Sequence, residues 1–159
     1  MKIYLTERRI GYIINISYKI GLMSNEIKYK LIIDVEKVNT FFNNESPFNL
    51  KKDLKSISYF DEFKVNLLEE GAYPDNPPQR CVLHKIVIDN KTIAIKKIRV
   101  DGGFGKSSGF RCVVYYDEYH DEAVLVVLMH VFSKSEKSDL SIVEKNRIKK
   151  LFDDISNNI

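Results

Sequence analysis

The chain is predicted to be an α+β domain in which helices come first, a mainly antiparallel sheet of about three to five strands follows, and a helix closes the C-terminus. Three observations predict this. Pro74, Pro77 and Pro78 cluster in one stretch that separates helical apolar spacing from strand-like runs. The run AVLVVLMHVF, Ala123 to Phe132, is apolar on both faces, as a covered central strand must be. Ser141 and Glu144 form an S-x-x-E capping box, and Ile142, Ile148, Leu151, Phe152 and Ile155 then line one side of a helix.

Taken in order, Ile10, Tyr12, Ile14, Ile16, Tyr18 and Ile20 alternate as one face of a strand, which Gly21 ends. Lys28 to Ile33 is a second short strand. Val35, Val38, Phe41 and Phe42 fall at helical spacing until Asn43, Asn44, Ser46 and Pro47 interrupt them. Leu50, Leu54, Ile57, Phe60, Leu67 and Leu68 give a longer helical stripe, closed by Gly71, and the two stretches read together as a helical hairpin. Tyr73 to Gln79 is a loop. Val82 to Ile88 and Ile93 to Val100 form a hairpin around Asp89 to Lys91, with Lys97 on one face and Lys96 on the other, so the pair is expected to look out on solvent with charge. Phe110 to Tyr116 and Ala123 to Phe132 form a second hairpin.

The sequence has 159 residues, which suits one domain, and its 44% hydrophobic and 30% charged content is that of a soluble globular protein. No apolar run has the length of a membrane span. A net charge of +3 permits a nucleic-acid partner without demanding one. Cys81 and Cys112 lack metal-ligand spacing and read as reduced thiols of a cytoplasmic protein. The segment 1–22 reads as an N-terminal extension with an extra strand, and 23–159 as the main domain. Met23-Ser24-Asn25 makes an ordinary start, so internal initiation is one expectation and the alternating strand before it argues for the other.

The stretch GGFGKSSGFRC invites reading as a phosphate loop. A G-x-x-x-x-G-K-[ST] motif ends in Gly105, Lys106 and Ser107, but Val100 stands where the first glycine belongs, and a strand rather than a helix follows. The stretch is a connection between strands, and Lys97, Arg99, Lys106 and Arg111 gather on or beside it.

IKKIRV at Ile95 to Val100, KSSGFRCVVYY at Lys106 to Tyr116, and VLVVLMHVFSKSEKSDLS at Val124 to Ser141, followed by a helix, occur in the order and spacing of one family. In these pieces the chain resembles the RelE/HigB group of bacterial type II toxins, within the RelE/ParE superfamily. Lys134, Glu136, Lys137, Asp139 and Leu140 match the group's K-x-E-K-x-D-L signature. The resemblance spans Ile95 to Ile159, and it implies a RelE-like fold, with the helical hairpin where the family also has one.

The resemblance further implies an endoribonuclease without metal or other cofactor that cuts messenger RNA on the ribosome, inhibits translation, and is held inactive by a cognate antitoxin. Such a reaction sends a ribose 2′-OH against the adjacent phosphate, and it needs a base, cations for the developing charge and a proton for the leaving oxygen. On that basis Arg111 matches the family arginine that clamps the phosphate. Lys97 is the candidate base, on condition that neighbouring cations lower its pKa, and His130 is the candidate proton donor. Arg99, Lys106, Lys134 and Lys137 are the candidate RNA-binding cations. A lone histidine in an apolar strand is more often a satisfied core or edge histidine, and each strand cation is equally a solvated surface charge. The chain departs from the family at Ser135, where an arginine is usual, and its last helix carries no tyrosine. His84 and His120 carry no assigned role. Two other functions fit the same fold: a ParE-like inhibitor of DNA gyrase, and a catalytically silent relative that binds RNA or an antitoxin.

Overall fold

A computed structural model describes residues 3–4, 13–19, 26–71, 80–101, 109–119 and 123–159. The strands are β1 (Ile3–Tyr4), β2 (Ile13–Lys19), β3 (Glu26–Ile32), β4 (Arg80–Ile88), β5 (Lys91–Val100), β6 (Phe110–Asp117) and β7 (Val124–Ser133), and the helices are α1 (Val35–Phe41), α2 (Leu50–Asp53), α3 (Phe60–Gly71) and α4 (Ile142–Asn157). The α+β class is as expected. Tyr73 to Gln79, Lys106 and His120 lie outside the described residues.

The strands lie in the order β1-β2-β3-β7-β6-β5-β4. Five of them, β3 to β4 in that order, make a mixed sheet, and β2 and β1 extend its β3 edge. Every neighbouring pair is antiparallel except β3 and β7, where Tyr29 lies opposite Val124 and Ile32 opposite Val127 in parallel register. β2 occupies the middle of the predicted Ile10 to Ile20 alternation. β7 is buried along nearly its whole length, because it pairs on both edges and is covered on both faces.

Local chemistry explains the boundaries. Asp34 caps α1 by accepting from the Lys37 backbone N–H at 3.1 Å, and Asn43 and Asn44 end it in the left-handed region, which asparagine tolerates. Asp89 and Asn90 both have positive φ, 49° and 62°, and make the two-residue turn between β4 and β5. Gly109 is required by close approach: a Cβ there would stand 2.4 Å from the Val100 carbonyl oxygen. Ser141 closes the predicted capping box on α4, accepting from Glu144 N–H while the Glu144 carboxylate accepts from Ser141 N–H.

The long stripe from Leu50 to Leu68 is not one helix. After α2 a 3-10 turn covers Leu54–Ser56, Ile57 is extended, and α3 starts at Phe60. The Ser56 hydroxyl donates to the Asp53 carbonyl at 2.7 Å, a local bond that competes with helix continuation. Nor do the helices pack as a hairpin, because the sheet lies between them. Phe41 and Phe42 of the α1 end lie against Tyr115, with ring centroids 5.3 and 5.9 Å away, and His84 stacks on Phe152 of α4 on the same face. α3 covers the other face: Phe63 meets Phe110 edge-on, and a Cβ on Gly71 would lie 3.1 Å from Val126. Phe63, Leu67 and Leu68 are fully buried there, each worth about 2 kcal/mol on leaving water.

Both faces of β5 are therefore covered over most of its length, which overturns the expectation of a charged, solvent-facing hairpin for this strand, whereas the edge strand β4 exposes Lys85. Lys96 is 0% exposed. Its ammonium donates to the Gly71 carbonyl at 2.7 Å and sits 4.1 Å from the centroid of the Tyr116 ring.

Candidate nucleic-acid interface

Register assembles the site. Lys97 lies opposite Val113, which lies opposite His130, and in the next row Arg99 lies opposite Arg111, which lies opposite Phe132. Residues directly opposite share a face, so Lys97, Arg99, Arg111 and His130 all belong to the side covered by α1, α2 and α4. Rows on one face are about 7 Å apart along the strand, and neighbouring strands about 4.8 Å apart. Three cations from two strands thus fall within one small area.

Arg99 and Arg111 are a like-charge pair directly across two strands, an arrangement that is unfavourable by itself. Arg99 is exposed and Arg111 half-buried. Burial, and then the charge of Arg99, push the Arg111 guanidinium below its ordinary pKa, though not out of its charged form. Its Nη1 is buried and has no hydrogen-bond partner among the described residues. A guanidinium in this position has donors to spare, and a phosphate oxygen satisfies donor and charge together.

Lys97 differs. Its Nζ donates to Asp139 Oδ1 at 2.5 Å, and Lys145 holds the other carboxylate oxygen at 2.9 Å. The hydrogen bond from Lys97, then that from Lys145, hold the Asp139 carboxyl well below the usual range. In this arrangement Lys97 Nζ is engaged by a carboxylate, whereas the role of base expected for it needs a neutral amine.

His130 is also occupied. It is buried beneath Phe48, whose ring stacks on it at 4.1 Å, and its Nδ1 lies 2.7 Å from Asp53 Oδ2. Its Nε2 lies 2.9 Å from Lys137 Nζ. Lys137 can only donate, so Nε2 accepts and Nδ1 carries the hydrogen that Asp53 takes. His130, the expected proton donor, thus stands at the centre of a polar chain that links α2, β7 and the segment before α4.

The K-x-E-K-x-D-L segment acts as a clasp. Glu136 accepts from Ser133 N–H at 2.9 Å, which folds the turn after β7. Lys137 runs inward past the Phe132 ring to His130 and donates to Glu144 Oε1 at 2.5 Å. Burial works to raise the Glu144 carboxyl, but Lys137 and the Ser141 cap overcome it and leave it below its ordinary value. Leu140 is buried. Lys137 therefore ties the core, and Lys134 is the exposed cation of the segment. The Ser135 hydroxyl lies 2.9 Å from that of Ser133.

Asp53, Asp139 and Glu144 are the partners that spacing alone did not single out as such. Asp139 and Glu144 were visible as parts of a signature and a cap, but Asp53 carried no signal. His84 lies opposite Ile95, one row from Lys97 on the side away from the arginines, and its pKa is lowered by burial and then by Lys149. Cys81 and Cys112 are both free thiols, and burial raises the latter. Among the described residues no group of three or more His, Cys, Asp or Glu is arranged to hold a metal ion, and no helix is long and apolar enough to cross a membrane. No family model matches the chain, and neither a curated protein nor a solved structure does.

Proposed function

We propose that the chain is a RelE/HigB-type toxin of a type II toxin-antitoxin system, an endoribonuclease that cuts messenger RNA on the ribosome and is restrained in the cytoplasm by a cognate antitoxin. The observation that carries the reading is the half-buried Arg111, with a buried Nη1 that has no partner among the described residues, and Arg99 directly across from it. This pair suits two oxygens of an RNA phosphate, and it meets the growing negative charge when the neighbouring 2′-OH attacks. Lys97, one row away, neutralises an adjoining phosphate, and Lys134 extends the cationic surface. The order of the basic strand, the G-F-R piece and the K-x-E-K-x-D-L segment supports the same family.

A second reading is a relative that binds RNA without cutting it. It is favoured by the engagement of both His130 nitrogens and of Lys97, which leaves neither of the two expected proton-transfer groups available in this arrangement.

One experiment separates the readings. The chain is induced in bacteria, and new messenger 5′ ends are mapped for the wild type and for Arg111→Ala. Codon-spaced cleavage, reduced at least about a hundredfold in Arg111→Ala, is expected from the loss of a group that stabilises transition-state charge. RNA that is bound but uncut selects the silent relative. Intact messenger with trapped gyrase complexes overturns both in favour of a ParE-like inhibitor.

A further inference from the structure

Lys97 and Asp139 form a contact that the proposed RNA surface must break or work around. Lys97 stands one row from the arginine pair, on the same face. Its ammonium is already neutralised by a carboxylate of the chain itself, and side-chain exposures of 23% for Lys97 and 41% for Asp139 put both within reach of solvent and of any strand lying on the face. Asp139 also has a second cation, Lys145, on its other oxygen. If Lys97 leaves, Asp139 keeps that partner, and Leu140, buried next to it, keeps the backbone in place. Exchange of one acceptor for another at Lys97 thus requires no unfolding and leaves no charge without a partner.

We propose that Asp139 is a built-in counter-anion that occupies Lys97 until a backbone phosphate of RNA replaces it, so that this carboxylate sets the strength and salt dependence of RNA binding. The proposal rests on reading the Arg99–Arg111 face as an RNA surface. Asp139 is a positioning residue in this scheme: it touches Lys97 and Lys145, and it acts on RNA only through Lys97. A phosphate that displaces it converts an internal ion pair into an intermolecular one, and an exposed pair is weak enough for such exchange. Without the carboxylate, Lys97 is free from the start, and one more cation is counted in the binding equilibrium.

The test uses the full chain and a short single-stranded RNA with 2′-O-methyl riboses, which removes the attacking hydroxyl. Affinity is measured over a range of salt for the wild type, Asp139→Asn, Lys97→Ala, the double variant, and Asp153→Asn. The last removes an equal charge from an exposed α4 pair with Lys149 and serves as the matched control. Asp139→Asn is expected to bind about threefold to tenfold more tightly at low salt, with a log–log salt slope steeper by about 0.7, the value for one more phosphate contact on a single strand. Lys97→Ala in the same chain abolishes the gain. A merely structural role for Asp139 would lower melting temperature without steepening the slope. The proposal is overturned if Asp139→Asn behaves as Asp153→Asn does, or if the gain survives loss of Lys97. If wild type binds RNA and Arg111→Ala, measured in the same series, weakens it while Asp139→Asn changes nothing, the RNA reading stands and the counter-anion falls. If neither the wild type nor any variant binds RNA, the RNA reading falls and the counter-anion with it.

Discussion

Lys96 and Lys97 are neighbours in the chain and occupy opposite faces of the same strand. Lys96 has lost all contact with water, and it is held by the Gly71 carbonyl at the end of α3 and by the face of Tyr116. Lys97 meets solvent at the edge of the arginine rows and is held by a carboxylate with a second lysine on it. One lysine fastens a helix to the sheet, and the other is a partly exposed charge in an ion pair. The difference shows that a basic strand is not one surface: alternation divides it into a side closed by α3 and a side that meets solvent.

The largest effect is expected at the buried member. Lys96→Ala removes the donor to a buried carbonyl and leaves a cavity, and urea unfolding should show a loss of about 3 kcal/mol, whereas Lys97→Ala should lose less than about 1 kcal/mol. Equal losses would erase the distinction between the faces. Next comes the polar chain on the face of Lys97. Asp53→Ala deprives His130 of its acceptor beneath Phe48, and about 2 kcal/mol should be lost in the same measurement. The smallest effect concerns acid. Asp139 has a folded pKa below its ordinary value of 3.8, so its stabilisation by Lys97 and Lys145 is present at neutral pH and lost as pH falls below about 4. The stability difference between the wild type and Asp139→Asn, less than about 1 kcal/mol because the group is well hydrated, should therefore shrink as pH is lowered from 6 to about 3. A difference that grows on acidification would mean that other carboxylates set the effect.

The local elements were legible because each is written in a short window. Alternation marked the strands, the Asp-Asn turn and the capping box marked ends, and the doubly apolar run marked the covered strand. What was not legible involves distance along the chain. Nothing near Leu50 or Leu68 shows that the sheet will pass between α1 and α3, and the break after α2 depends on a serine hydroxyl finding a local carbonyl. The parallel pairing of β3 with β7 is likewise a property of the whole topology. In the site, alternation already put Lys97 and Arg99 on one side, but the row that adds Arg111 needed the strand register. The partners of Lys97 and His130 are Asp139 and Asp53, 42 and 77 residues away. Charges at such separations have no pattern that proximity in sequence can reveal, so cations that read alike become a half-buried arginine, a paired lysine and a buried tie.

The position of β7 between β3 and β6 also has a consequence for the order in which the chain takes shape during synthesis. Tyr29 to Ile32 meet their parallel partners only when Val124 to Val127 have left the ribosome. Until then β3 has one open edge, and the arginine row is incomplete on its β7 side. A nascent chain that ends within β6 can form the β4-β5-β6 meander by local pairing, but it cannot join that meander to the N-terminal strands. The assembled surface is therefore a late event, reached when most of the polypeptide has already been made.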